Sequence, residues 1–278
     1  MKRAFKYAGR STDSAGACKS LPTLWERRSP GIGKPALQIA LVLLLAGGVA
    51  RGSETNARTF LFSAPALIAA RARLSRGDAQ LQPAYAKLRE DAEDALKLKA
   101  ASVMDKPRVS ASGDKHDYFS YGPYWWPDPT KPDGLPYIRR DGERNPAALE
   151  NTDDAAFSLL GPAIETLGLA YWFTGEERYA QKAAGLARVW FLDPATRMNP
   201  NFQHAQAIPG ITDGRGIGII EARRLMNVNE GLALIAGSPA WTEADRAAFN
   251  TWLSAFYDWL TTSTNGRAEQ AAKNNHGP

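Results

Sequence analysis

The sequence predicts an all-α protein, a toroid or bundle of antiparallel helical hairpins. Segments with helical spacing recur from about Phe60 onward. The loops between them alternate short and long, as connections in stacked hairpins do. No run reads convincingly as a sheet strand.

The first predicted helix is PALIAARARLSRGD, with Gly77 and Asp78 marking its stop and the next start. A second spans 79–104, where Leu81, Leu88, Ala92 and Leu96 recur at helical spacing. A long loop rich in Pro, Gly and aromatic residues fills about Lys106 to Leu149. Two helices follow in 152–193, hinged at Thr174-Gly175. Thr152 or Asp153 is placed to cap the first, and Glu176 and Glu177 to open the second. A loop around MNPNFQHAQAIPGITDGRG leads into the apolar helix IGIIEARRLMNVNEGLALIAG. The last long helix opens at Thr242 and is amphipathic.

With 278 residues, 44% hydrophobic and 23% charged, the chain has an ordinary globular composition. Its net charge of +5 does not indicate nucleic-acid binding. Eight Lys/Arg and two Asp/Glu fall in residues 1–50, which leaves 26 basic and 27 acidic residues for the rest. That basic leader precedes ALQIALVLLLAGGVA, an apolar run short for a membrane span, which needs about 20 residues. Residues 1–50 are therefore read as an export signal, with an uncleaved anchor as the alternative. Residues 51–59 read as a linker and 60–278 as one domain, periplasmic or secreted. The single cysteine, Cys18, lies in the leader. The three histidines are scattered, without metal-ligand spacing, so no metal or cofactor is expected.

The stretch KHDYFSYGPYWWPDPTKPDGLPYIRRDGERNP bears most on function. Tyr118, Phe119, Tyr121, Tyr124, Trp125, Trp126 and Tyr137 crowd into it, among five prolines up to Pro136. Aromatic faces stack on sugar rings, and arginines such as Arg139, Arg140 and Arg144 offer forked donors to carboxylates. The combination suits an acidic polysaccharide. The bland alternatives are that Trp125 or Trp126 plugs the helical core and that the arginines pair with Asp141 and Glu143. Further along, Gln206 could reach a sugar hydroxyl or acid group, and Arg215 could face a cleft or cap a helix with Asp213. His116 fits a turn-stabilising role better than ligand contact, and His204 precedes a predicted helix. GRGIG is no phosphate loop, since no strand precedes it and no Lys-Ser/Thr follows.

GPYWWPDPTKPDGLPYIRRDGERNP, AQAIPGITDGRGIGIIEARRL and the terminal NNHG together resemble the alginate lyase family of helical-toroid polysaccharide lyases. The resemblance runs from about residue 60 to the end. It implies an (α/α) toroid that cleaves uronic-acid polymers by β-elimination without a metal. It also implies catalytic roles for Asn275 and His276; Tyr124, Trp125, Trp126, Arg139, Gln206 and Arg215 stand beside them as substrate-binding candidates on the side-chain chemistry given above. The family's later tyrosine and arginine have no counterpart here, so a C-terminally truncated domain with impaired activity is expected. Elimination removes the C5 proton of a uronate and expels the 4-linked oxygen. Asn275 would neutralise the carboxylate, and His276 would assist or take the proton. The rival readings are a helical-toroid glycoside hydrolase using two of Asp153, Asp154, Asp213 and Glu221, and a fragment that only binds acidic glycans.

Overall fold

The computed structural model describes residues 59–150 and 152–273. The leader, all but the last residue of the linker, and the Asn275–His276 pair lie outside the described residues. No helix among those described is long and apolar enough to cross a membrane.

Seven α-helices carry the fold: α1 (Ala64–Ser75), α2 (Gln82–Lys97), α3 (Asp154–Thr174), α4 (Glu177–Ala187), α5 (Arg224–Leu234), α6 (Glu243–Thr262) and α7 (Thr264–Ala271). Their ends follow the local chemistry. Ser63 accepts from the Ala66 amide ahead of α1. Gly175, in the left-handed region at φ 75°, stops α3. Thr242 and Asp245 form a reciprocal capping box at α6, as the sequence predicts. Asp153 stands at the N-cap position of α3 but makes no capping bond. Its carboxylate is committed elsewhere, as described below.

Helix α3 is the centre of the core. Phe157, Ile164 and Leu167 on it are fully buried, and it packs on α2, α4 and α5. Contact with α5 is close because glycine meets glycine. A Cβ on Gly168 would lie 2.5 Å from the Gly231 carbonyl oxygen, and one on Gly231 would press into that of Ile164. We predict that Gly231→Ala costs about 1–3 kcal/mol through overpacking, read as a lowered denaturant midpoint. An unchanged midpoint would show that the helices can separate freely.

Beyond α4 the chain widens into a π turn, Arg188–Leu192, which buries both Trp190 and Phe191. Phe191 meets Phe249 and Trp252 of α6 edge-on, with ring centroids 5.2 and 4.9 Å away. The Trp252 indole N–H is satisfied by the Met198 carbonyl at 2.7 Å.

Three expectations need correction. The helix expected over 79–104 spans only Gln82–Lys97, and a separate 3-10 turn capped by Ser102 follows at Val103–Asp105. The apolar segment after Arg215 begins as a 3-10 helix, Gly216–Arg223, and becomes α-helical only at Arg224. Gly216 and Gly218 there lie against the backbones of Asn265 and Ala205, so this turn is shaped by close approach rather than propensity. Strands also exist. β1 (Phe119–Tyr121) pairs in parallel with β4 (His204–Ala207), and β2 (Trp125–Trp126) pairs antiparallel with β3 (Ile138–Arg139). They are too short to show period-2 alternation, which is why the sequence hid them.

Candidate functional site

The small sheets fix the aromatic loop and the AQAIPG segment side by side. Phe119 pairs with His204 and Tyr121 with Ala207, so two steps along β1 match three along β4. The extra residue makes a bulge, and Gln206 takes φ 51°, the one positive φ outside glycine among the described residues. The Ser120 hydroxyl accepts the Gln206 amide at 2.8 Å and so holds this costly conformation. The side chain of Gln206 is thereby aimed at Arg215, whose Nη2 donates to Gln206 Oε1 at 2.7 Å.

Arg215 is half-buried, yet it forms no ion pair among the described residues. Its Nε is buried and lacks any hydrogen-bond partner. Burial lowers its pKa, and the like charge of Arg139 adds to that effect. A guanidinium stays charged regardless, so the site holds a cation with no direct ion-pair partner among the described residues, the Glu221 carboxyl acting on it only through space. Gly122 brings it against an aromatic edge: a Cβ there would lie 2.7 Å from Trp125 Cδ1 and 3.1 Å from Arg215 Nη2.

Trp125 stands opposite Arg139 across the β2–β3 ladder. Trp126 has a different duty. Its indole N–H donates to the Glu143 carbonyl at 3.0 Å, and Arg140 lies over its ring at 5.0 Å. It therefore braces the loop. Tyr124 contributes its carbonyl to the Arg140 amide. Arg139 pairs with Asp141 at 3.0 Å, both well exposed, and Arg140 lies 3.9 Å from Glu143, the pairings expected as the bland alternative. Beside Gly122 opens a cavity with about 500 Å³ of non-atom space, mouth included, walled in part by Arg108, Tyr121, Trp125 and Tyr137. Of the substrate-binding candidates, Trp125, Gln206, Arg215 and, through its charge, Arg139 come together; Tyr124 and Trp126 serve the loop.

Three of the four carboxylates considered for hydrolysis are occupied structurally. Asp153 is buried against Lys106, at 3.0 Å, and Asp154 binds Arg224 at 2.8 Å. Glu221 Oε2 accepts the hydroxyls of Tyr118 at 2.8 Å and Ser120 at 2.7 Å. Asp213 is exposed. His204 Nδ1 meets the Asp213 carbonyl at 3.1 Å and His116 Nδ1 that of Arg197 at 2.6 Å, so both rings secure loops. No group of three or more His, Cys, Asp or Glu among the described residues is placed to hold a metal.

Glu221 is the support that sequence reasoning missed in this role. It orients Ser120, which fixes Gln206, which in turn holds Arg215. Burial, reinforced by the Asp154 charge, pushes its pKa up from 4.5 to about 7. An acid whose pKa is raised on folding contributes stability that is full below the unfolded value and lost as pH rises through the folded one. We predict that Glu221→Gln, which keeps the acceptor oxygen, gains on the parent protein by up to about 3 kcal/mol between pH 4.5 and 7. Parallel stability profiles across that range would contradict it.

A family model described as alginate lyase matches residues 102–278. Among solved structures, the crystal structure of an alginate lyase from Bacteroides ovatus superposes with a TM-score of 0.75 at 44% identity. The match covers 79% of this chain and 58% of that one. No curated protein matches. The chain belongs to the alginate lyase family.

Proposed function

We propose that this protein is a polysaccharide lyase that cleaves a uronic-acid polymer, alginate or a related polyuronate, by β-elimination. The observation that carries the reading is Arg215, a half-buried guanidinium without a direct ion pair among the described residues, set beside Trp125 and held by Gln206. Such a cation awaits an anion, and an adjacent indole offers a sugar face its stacking surface. The similarity to the Bacteroides ovatus alginate lyase supports the same substrate class.

In this proposal Asn275 donates its amide to the uronate carboxylate and lowers the cost of charge build-up when the C5 proton leaves. His276 assists or removes that proton, a role open to an imidazole, which can act as either acid or base. The electron pair forms the C4–C5 double bond, and the 4-linked oxygen departs with a proton. Export to the periplasm or beyond is proposed from the basic, apolar leader.

The test compares two counts on the same digest of alginate and polyglucuronate. Elimination adds one ultraviolet-absorbing unsaturated end for each new reducing end, however slow the cleavage. Reducing ends without absorbance would indicate hydrolysis. No cleavage and no binding of either polymer would remove the reading altogether.

A further inference from the structure

The cavity beside Gly122 has a cation of its own, and the sequence alone did not single it out. Arg108 lines it and forms no ion pair or hydrogen bond among the described residues. Its guanidinium lies 5.6 Å from the Tyr121 ring centroid, a cation–π contact that steadies the head without consuming its donors. Tyr121 and Tyr137 line the same space, and neither hydroxyl has a partner in the described structure. Burial pushes the pKa of the Tyr121 hydroxyl up, against the opposing pull of the Arg108 charge. The wall is rigid: Asn145 donates to the Trp125 carbonyl at 2.9 Å, and the Gly122 amide to that of Ala207 at 3.0 Å. One acid, Glu150, also lines the cavity and is exposed.

We propose that this cavity is a separate carboxylate-binding sugar subsite, in which Arg108 takes the acid group of one uronate unit. The inference rests on the polyuronate reading. Tyr121 and Tyr137 would bond the ring hydroxyls, and Trp125 would supply the apolar face shared with the Arg215 side. Glu150 works against binding of an acid and limits its strength.

The experiment is calorimetric titration of the full chain with β-1,4-linked glucuronate and mannuronate tetrasaccharides and with their carboxyl-reduced forms. Arg108→Ala, at an exposed position, should keep its circular-dichroism melt and weaken binding of the acidic tetrasaccharide by about 10- to 100-fold. Glu150→Gln should tighten it. Unchanged affinity in Arg108→Ala would overturn the subsite and leave the polyuronate reading standing. If the parent protein does not prefer acidic over carboxyl-reduced tetrasaccharides, the reading falls and the subsite with it.

Discussion

Replacing Lys106 with alanine is expected to destabilise the protein by about 3–5 kcal/mol, the range for breaking one half of a buried ion pair. Both side chains of the pair are almost fully enclosed, at 1% and 2% exposure for Lys106 and Asp153. The ammonium also donates to the carbonyls of Val103 and Lys115, each at 2.7 Å. Alanine would strand these acceptors together with a carboxylate. The damage reaches the site, because Asp153 ties β1 to α3. Its Oδ2 accepts the Phe119 amide at 2.8 Å, and its own amide donates to the Phe119 carbonyl at 2.9 Å. One residue further on, β1 carries Ser120, the residue that pins Gln206. Thermal unfolding with and without a compensating Asp153→Leu change is the check. Lys106→Met with Asp153→Leu should recover only the part of the loss that comes from the unpaired charge, because the Val103 and Lys115 carbonyls and the Phe119 amide stay without partners. A loss below about 1 kcal/mol for Lys106→Ala would mean the pair is not buried in solution.

Arg215→Ala is expected to weaken binding of acidic oligosaccharide by about 2–4 kcal/mol, roughly 30- to 1000-fold, with little effect on the fold. The guanidinium has no ion pair within the described structure, so its removal strands no buried carboxylate. Gln206 Oε1 loses one donor. Arg215→Lys should not rescue binding, because a point charge cannot reproduce a planar fork. Titration of both variants reads this directly. Equal affinity for parent and Arg215→Ala would relocate the anion site.

Much of this was legible in the sequence for identifiable reasons. Helices α3, α4 and α6 announced themselves through sustained periodicity, Gly175 and the Thr242–Asp245 box. The aromatic loop is conspicuous by composition, and it and the next motif supply all six substrate-binding candidates, Tyr124, Trp125, Trp126, Arg139, Gln206 and Arg215, of which the fold brings four together. What could not be read was which of the two tryptophans lines the cavity. Trp125 and Trp126 are adjacent and chemically equal, and only the β2–β3 register and the Glu143 carbonyl separate their roles. The bulge at Gln206 was equally silent, since nothing local distinguishes a glutamine at positive φ from any other. The sequence offers Glu221 only as one of four carboxylates and gives no sign of its supporting contacts. Its partners Tyr118 and Ser120 lie about a hundred residues away in sequence, beyond any periodicity argument. Arg108 stands alone in a polar stretch and carries no pattern at all.

The most direct test of the central claim is a crystal structure of the protein with a uronate oligosaccharide bound. The account predicts one sugar ring stacked on Trp125, with its carboxylate within hydrogen-bond reach of the Arg215 guanidinium. An oligosaccharide bound elsewhere, with Arg215 still lacking an anion, would contradict it.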